Sequence, residues 1–259
     1  MRFKDYLMII AAVFVCALLL RAFVVDAVFI PSHSMESTLL PGDYIIVDKL
    51  VHGGASELAG VSASFFHLPG MRHVEAGDVI VFRLPENAVG EGFSRGELFV
   101  KRCIAVGGDQ ITLKDGVLYT NGREVMHVQP RSEKEYLFRL TGPLVIPKKG
   151  DRIDLSRPGV GLWIDLIERE GHTVDTTGGS VCIDGQSASW YTVKQNYLFV
   201  LGDNRGWSYD SAFWGLLPEG NVVGEAEMIY WSQGPGEDAS HWSFPFTNVR
   251  WNRIGTIVR

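Results

Sequence analysis

The N-terminal part of the chain is its most apolar stretch. Apart from the ring of Tyr6, apolar side chains follow one another without interruption up to position 20, and after Arg21 the apolar sequence continues to Val25. A helix that crosses the hydrocarbon core of a bilayer needs about 20 apolar residues. The pattern therefore predicts a transmembrane anchor over residues 6–25, in which the long side chain of Arg21 reaches toward one interface.

Basic residues precede this apolar stretch. Arg2 and Lys4 lie within residues 1–5, which are therefore predicted to be cytoplasmic, with the remainder of the chain exported. A cleavable signal peptide is the main alternative, because Val25–Ala27 would serve as a small-residue cleavage site. The stretch is long for the core of a signal peptide, which favours a retained anchor. A buried helix of a soluble protein is the weakest interpretation, since the stretch is apolar on all sides.

Beyond the anchor, short apolar runs are bounded by turn residues, which is the pattern of β-strands. Asp115-Gly116 and Asn121-Gly122 separate three of these runs and are strong hairpin signals. The predicted strands span residues 43–51, 78–84, 98–106, 110–114, 117–120, 123–127, 197–202, 222–231 and 253–258. The expected fold class is mainly β, with an antiparallel β-sheet core preceded by one transmembrane helix.

Two segments interrupt the strand pattern. Residues 53–75 are rich in Gly, Ala and Ser and are predicted to form a loop. Residues 129–189 are predicted to form an inserted smaller subdomain, in which apolar spacing favours a short amphipathic helix over residues 158–170. The expected division is thus an anchor, a β-rich core of residues 26–128 and 190–259, and the insertion of residues 129–189.

Composition and charge exclude some functions. The chain has 259 residues, enough for one large domain or two modest ones. Its net charge of −6, with no cluster of Lys or Arg, argues against a nucleic-acid partner. The three cysteines, Cys16, Cys103 and Cys182, show no C-x-x-C spacing. Neither a metal site nor a cofactor is therefore expected, and a disulfide between Cys103 and Cys182 is not expected either.

Three serines lie close together just after the predicted anchor, in the sequence FIPSHSMEST of residues 29–38. A serine becomes a good nucleophile only when a neighbouring base takes its proton. In an extended segment Ser32 and Ser34 point to one face and His33 points to the other, so His33 is poorly placed to be that base. A polar turn without catalytic function is the alternative interpretation of this cluster.

Lys101 is a candidate for the missing base. The alternation of the strand places Phe99, Lys101, Cys103 and Ala105 on one face, which is apolar apart from the lysine, and Arg102 on the other. Burial on such a face disfavours the ammonium form and lowers the pKa of the amine. The neutral amine can then act as a general base. Taken by itself, the same residue also fits an ordinary strand lysine whose head lies in solvent.

Three segments of the chain resemble those of bacterial type I signal peptidases, also called leader peptidases, which use a serine–lysine dyad. PSHSMESTLLPGDYIIVDK is similar to their nucleophile segment, and VKRCIAVGGD is similar to their lysine segment. LGDNRGWSYDSAFWGLLPEGNVVGEA resembles their segment that carries aspartate and arginine. The order of the segments, the N-terminal anchor and the closing RWNRIGTIV also fit. The resemblance covers residues 7–128 and 190–259, whereas residues 129–189 match weakly.

The resemblance implies a role for each matching residue. Ser34 would be the nucleophile that forms the acyl-enzyme, and Lys101 would be its general base. The hydroxyl of Ser32 and the backbone N–H of Ser34 would form the oxyanion hole, and Ser208 would hydrogen-bond the lysine and orient it. The implied scaffold of the site consists of Asp203, Arg205 and Asp210.

The chain departs from the family pattern at two places. Ala212 stands where the family usually has an arginine that pairs with the aspartate two positions earlier. Asp210 would then pair with Arg205 instead, or be solvated. Glu36-Ser37 stands where a residue followed by proline is commoner, at a position that shapes the turn after the nucleophile.

The resemblance implies a membrane-bound serine endopeptidase that removes N-terminal signal peptides from exported preproteins, cleaving after small residues at positions −1 and −3. Its implied location is the inner, cytoplasmic membrane, as a single-pass protein with the catalytic domain on the exported side. The implied partners are signal-peptide-bearing preproteins, membrane lipid and the secretion translocon. The alternatives are a maturation peptidase of a conjugation system and a catalytically silent anchored β domain that binds exported chains.

Overall fold

The computed structural model describes residues 3–52, 55–58, 61–67, 70–88, 93–94, 96–128, 142–156, 160–177, 180–234 and 248–259. The three α-helices within these residues are α1 (Phe3–Phe23), α2 (Gly161–Arg169) and α3 (Ser211–Trp214). The strands are β1 (Val25–Phe29), β2 (Asp43–Asp48), β3 (Ala55–Leu58), β4 (Val61–His67), β5 (Val79–Arg83), β6 (Leu98–Val106), β7 (Gln110–Lys114), β8 (Val117–Thr120), β9 (Arg123–His127), β10 (Leu144–Val145), β11 (Arg152–Asp154), β12 (Val174–Asp175), β13 (Cys182–Ile183), β14 (Gln186–Ser187), β15 (Trp190–Thr192), β16 (Tyr197–Leu201), β17 (Leu217–Pro218) and β18 (Val222–Ser232). The predicted mainly β fold with one apolar N-terminal helix is confirmed.

Helix α1 has the length and composition of a membrane span. It contains 21 residues, and at a rise of 1.5 Å per residue a helix of this size is about 31 Å long, close to the thickness of a hydrocarbon core. The stretch Phe3–Arg21 has a mean hydropathy of 2.2, and none of it is buried. Its exposed apolar side chains contrast with those of a helix in a soluble core, which would be covered by other elements.

The chain divides into two compact units. The first unit comprises Met1–Ser32, Thr38–His73 and Val222–Arg259, and the second comprises His33–Ser37 and Val74–Asn221. In the first unit, β2 pairs antiparallel with both β1 and β18, and β3 and β4 form a hairpin. The second unit contains His33–Ser37 of the predicted nucleophile segment, including Ser34, together with the predicted lysine segment and most of the predicted aspartate and arginine segment.

The second unit is built on an antiparallel sheet in which β6 lies between β5 and β16, and β17 pairs with the far side of β16. A second sheet has the order β10-β7-β8-β9. The hairpins predicted at Asp115-Gly116 and Asn121-Gly122 are present, and all four residues have the positive φ that such turns require. The apolar core of this unit includes Leu144 and Leu166 from the predicted insertion together with Phe199 from β16. The predicted limits of the insertion remain a prediction, and residues 129–141 lie outside the described residues.

Two predictions about secondary structure are wrong. Residues 53–75, predicted to be a loop, contain the hairpin of β3 and β4, because backbone pairing forms there in spite of the Gly- and Ser-rich composition. Residues 253–258, predicted to be a strand, instead follow a 3₁₀ helix at Trp251–Arg253 and keep a single bridge to β18. Gly255, with φ +83°, turns the backbone in the middle of this run and prevents a continuous strand.

The three cysteines are free thiols, so Cys103 and Cys182 do not form a disulfide.

A buried lysine links α1 to the sheet of the first unit. Lys49, which follows β2, is 5% exposed. Its Nζ lies 2.9 Å from Asp26 Oδ2 in β1 and donates to the backbone carbonyl of Arg21, in the last turn of α1, at 3.1 Å. The ammonium therefore satisfies a carbonyl that the end of a helix leaves without an intrahelical donor.

A buried carboxylate ties the C-terminal segment to the same unit. Asp43, at the start of β2, is 0% exposed. Its oxygens accept hydrogen bonds from the hydroxyl of Ser232 and from the guanidinium groups of Arg250 and Arg253. Arg253 also donates to the carbonyl of Thr38 at 2.9 Å. The closing RWNR sequence thus holds Thr38 and Asp43, in the part of the nucleophile segment that belongs to the first unit.

Candidate active site

The predicted nucleophile and the predicted base lie in contact. Lys101 Nζ is 2.8 Å from Ser34 Oγ, although 67 positions separate the two residues. Ser34 is 8% exposed and Lys101 is 2% exposed. An amine and a hydroxyl at this distance form a hydrogen bond, and removal of bulk water strengthens the interaction.

The position of Lys101 follows from its strand. β6 is paired on both sides, and the residue opposite Lys101 in β5 is Ile80, which is 0% exposed. The Nζ atom also donates to the carbonyl of Val100 at 3.0 Å and lies 5.3 Å from the ring centroid of Phe99. The apolar surroundings predicted from the alternation of this strand are therefore present.

These surroundings change the basicity of the amine. Burial lowers the pKa of Lys101 from its ordinary value of 10.5 to about 8. Among the charged groups around it, the Asp210 carboxylate raises the pKa most, Arg205 lowers it, and Asp203 raises it. Cys103, on the same face of β6, is 1% exposed, and burial raises the pKa of its thiol, so it stays protonated and is no nucleophile.

The backbone of Ser34 is held by the segment that follows β16. The carbonyl of Ser34 accepts a hydrogen bond from the N–H of Asn204 at 3.1 Å. A Cβ atom placed on Gly202 would lie 2.5 Å from that carbonyl oxygen and 2.2 Å from the Oγ of Ser208. Only glycine allows this approach, so Gly202 is a residue of the site. The sequence interpretation did not single it out, although a glycine directly after a buried strand marks a place where another backbone comes close.

Asp210 organises the loop around the dyad. This carboxylate is 0% exposed. Its Oδ2 accepts the N–H of Gly202 at 3.0 Å and pairs with Nη1 of Arg205, while its Oδ1 accepts the N–H of Ala212 at 3.1 Å and caps α3. Of the two arrangements that the alanine at position 212 left open, pairing with Arg205 is the one present. Ala212 itself is fully buried.

Arg102 supports the site through Asp203, and the sequence interpretation did not identify it. Its Nε and Nη2 atoms donate to the two carboxylate oxygens of Asp203, each at 2.8 Å, in a bidentate pair. Its Nη1 atom donates to the carbonyl of Gly77 at 2.9 Å. The alternation correctly placed Arg102 on the opposite face of β6 from Lys101, but it gave no sign that the arginine would reach a predicted scaffold residue. Both scaffold carboxylates are thus engaged by guanidinium groups, which argues against a metal-binding role for either.

The structure does not decide the predicted roles of Ser208 and Ser32. Ser208 is 0% exposed and its Oγ lies against Gly202, beside the Ser34 carbonyl. Its predicted hydrogen bond to Lys101 stays a prediction. Ser32 is exposed and belongs to the first compact unit. Its predicted part in an oxyanion hole also stays a prediction.

The turn after the nucleophile explains the departure at Glu36-Ser37. Ser37 has φ +100°, which proline cannot adopt because its ring fixes φ near −65°. The carboxylate of Glu36 contacts Nδ1 of His33 at 3.1 Å and accepts a hydrogen bond from the side-chain amide of Asn204 at 3.3 Å. These contacts hold the turn in a conformation that the commoner sequence could not form.

Comparisons with known proteins identify the family to which the chain belongs. The family model described as "Signal peptidase, peptidase S26" matches residues 3–231. Signal peptidase I of Aquifex aeolicus (strain VF5) is 30% identical over 261 residues, covering 95% of this chain and 89% of that protein. A probable signal peptidase I-1 of Synechocystis sp. is 30% identical over 251 residues, covering 95% and 91%. A solved structure of a signal peptidase I from Enterococcus faecalis V583 is 21% identical with a TM-score of 0.30, covering 60% of this chain and 98% of that chain.

Proposed function

The chain belongs to the signal peptidase family, peptidase S26, and is a serine peptidase; from this premise we propose that it removes N-terminal signal peptides from exported preproteins by a serine–lysine mechanism. In this proposal Ser34 is the nucleophile and Lys101 is its general base. The observation that carries the proposal is the 2.8 Å contact between the Ser34 hydroxyl and an amine that is almost completely buried.

The reaction has two steps. In the first, the neutral Lys101 amine takes the hydroxyl proton while Ser34 Oγ attacks the carbonyl carbon of the scissile bond. The lysine then gives this proton to the leaving amine, the C–N bond breaks and an acyl-enzyme remains. In the second step the neutral amine takes a proton from a water molecule that attacks the ester, and Ser34 leaves with that proton.

The other residues support charge and geometry in this scheme. The Ser32 hydroxyl and the Ser34 N–H would donate to the oxyanion, where donors in place before the reaction contribute several kcal/mol. Ser208 would orient the amine of Lys101. Asp203, Arg205 and Asp210 would hold the loop that carries Ser208, and their contacts with Arg102, Gly202 and one another support this role.

Helix α1 would anchor the enzyme in the inner membrane, with the N-terminus cytoplasmic and the catalytic residues on the exported side. The chain from Phe23 to Ser34 spans at most about 40 Å when fully extended, so the nucleophile lies within that distance of the helix end. A signal peptide is also held in the bilayer, so enzyme and cleavage site meet at a high effective concentration. The substrate would bind as an extended strand with small residues at −1 and −3, and membrane lipid and the secretion translocon would be the other partners.

The test uses the full-length protein in detergent micelles and a purified preprotein with an Ala-x-Ala cleavage site. We expect one cut after the second alanine, identified from the mass of the mature product. Ser34→Ala and Lys101→Ala should each abolish the cut. Ser94→Ala and Lys149→Ala, which change exposed residues of the same unit, serve as matched controls and should cut normally.

Two outcomes would overturn the proposal. An intact preprotein would favour the silent β domain or a peptidase of different specificity. A cut that persists in the Ser34→Ala or Lys101→Ala variant would show that other residues carry the chemistry. Mass spectrometry separates both outcomes from cleavage at a wrong position by a contaminating protease.

A further inference from the structure

A buried carboxylate and a partly buried guanidinium group act on the amine of Lys101. Asp210 is 0% exposed, and the side chain of Arg205 is 15% exposed. Their effects on Lys101 oppose each other, since the carboxylate favours the ammonium form and the guanidinium disfavours it. The proton affinity of the amine therefore depends on how completely the two charges cancel.

The geometry joins these two groups to the dyad. Arg205 directly follows Asn204, whose N–H holds the Ser34 carbonyl. Nη1 of Arg205 pairs with Oδ2 of Asp210, the same oxygen that accepts the N–H of Gly202. Within the part of the chain that the structure describes, Arg205 is the cation paired with Asp210, because the neighbouring position in α3 is the uncharged Ala212.

The other charges around Lys101 are already compensated or directed elsewhere. Asp203 is held by the bidentate pair with Arg102, which projects from the opposite face of β6. From the nucleophile turn, His33 and Glu36 are exposed and contact each other. The cross-strand neighbour in β5 is the apolar Ile80. A single substitution in the pair of Asp210 and Arg205 would therefore leave one uncompensated charge that acts on the pKa of Lys101.

We propose that Arg205 is a positioning residue for the general base: its guanidinium neutralises Asp210, so that the buried amine of Lys101 can give up its proton and act on Ser34. This inference rests on the proposed Ser34–Lys101 function. Without Arg205, the buried carboxylate would hold Lys101 as an ammonium ion, which cannot accept the serine proton. Charges act strongly over short distances in a site removed from water.

The test is the pH dependence of preprotein cleavage between pH 6 and 10. In the wild-type enzyme, the rate should rise with pH around a midpoint of about 8, as the neutral amine forms. In Arg205→Gln the midpoint should rise by about one pH unit, so that the rate near pH 7 falls about tenfold while the alkaline plateau is largely retained. Arg205→Lys, which keeps the positive charge, should restore most of the wild-type midpoint.

A second substitution separates electrostatics from structure. Adding Asp210→Asn to Arg205→Gln removes the uncompensated carboxylate and should return the midpoint toward that of the wild type. Asp210→Asn alone leaves the guanidinium uncompensated and should move the midpoint in the acid direction. This single variant tests the proposal even if Arg205→Gln fails to fold.

The inference is wrong if Arg205→Gln lowers the rate equally at every pH with an unchanged midpoint, or if Asp210→Asn does not move the midpoint. A failure of the proposed function gives a different result. In that case the wild-type enzyme does not cut the preprotein, or the cut survives in Lys101→Ala.

Discussion

Among the residues that the structure describes, Lys49 and Lys101 are the buried lysines, and Lys101 is the one placed to act as a base. Lys49 in the first unit is 5% exposed, and Lys101 in the second unit is 2% exposed. Each Nζ contacts a backbone carbonyl. The second contact differs, because Lys49 meets the carboxylate of Asp26 at 2.9 Å whereas Lys101 meets the hydroxyl of Ser34 at 2.8 Å.

The difference in partner decides what burial does to the amine. A carboxylate in direct contact stabilises the ammonium form and offsets the loss of hydration, so Lys49 forms an ion pair. A neutral hydroxyl gives no such compensation, and burial lowers the pKa of Lys101 to about 8. A buried lysine is therefore a candidate base only where its nearest polar partner carries no negative charge.

The same substitution at the two positions should have opposite consequences for activity. Lys101→Met removes the base and should lower the cleavage rate by about 10⁴-fold or more, as expected when a nucleophile loses its proton acceptor. Lys49→Met removes a structural ion pair and should leave the rate of the folded enzyme within about twofold of wild type. Initial rates of preprotein cleavage, normalised to the folded fraction, provide the measurement.

Equal losses in the two variants would break the comparison, since burial rather than the partner would then explain the effect. Adding small amines to the assay provides a second test of the difference between the two lysines. If the defect in Lys101→Met is a missing base, a small amine that reaches the Ser34 hydroxyl should restore part of the rate, whereas Lys49→Met should not respond.

The sequence alone could not have separated these lysines. Alternation places Ile45 and Val47 on the same side as Lys49, just as it places Phe99 and Cys103 on the same side as Lys101. The partner of Lys49 comes from another strand, and strand pairing over such distances leaves no local pattern in the sequence. Periodicity made Lys101 a candidate but left an ordinary strand lysine as the alternative, and the resemblance to a known family favoured the catalytic interpretation.

Other features were predictable in proportion to how local their causes are. Strands β6, β7, β8 and β9 match their predicted limits, because turn residues of positive φ bound each hairpin. The hairpin of β3 and β4 was missed because its pairing is not signalled by its composition. In the site, Gly202 and Arg102 were missed for the same reason, since their importance comes from a close approach and an ion pair between distant segments.

Two glycines extend the comparison from side chains to backbone. A Cβ on Gly202 would lie 2.5 Å from the Ser34 carbonyl, and a Cβ on Gly224 would lie 2.3 Å from the carbonyl of Asp48, next to Lys49. Gly202→Ala should displace the nucleophile and lower the rate of the folded enzyme about 100-fold. Gly224→Ala should destabilise the protein by about 1–3 kcal/mol, the usual cost of overpacking. It should leave the cleavage rate of the folded enzyme unchanged.

Thermal unfolding in detergent and cleavage rates of the folded fraction, measured on both variants, test this pair. The expectation fails if Gly202→Ala unfolds at a lower temperature but cleaves normally once folded. It also fails if Gly224→Ala reduces the rate of the folded enzyme as much as Gly202→Ala does.

The last difference between the two lysines concerns stability rather than activity, because their substitution should change the free energy of unfolding in opposite directions. The pKa of Lys101 is lower in the folded protein than in the unfolded chain. Below pH 8 both states hold the proton, so the folded state carries the full penalty of a buried ammonium group. This penalty is about 3 kcal/mol and disappears as the pH rises from about 8 to 10.5. Lys101→Met should therefore stabilise the protein at pH 7 by up to about 3 kcal/mol and gain little at pH 10.5.

Lys49→Met leaves the Asp26 carboxylate, whose side chain is 24% exposed, without its amine, and should destabilise the protein at pH 7 by about 1–2 kcal/mol. Urea unfolding followed by tryptophan fluorescence at both pH values provides the measurement, and a change of the same sign in both variants at pH 7 would contradict the distinction between the two amines.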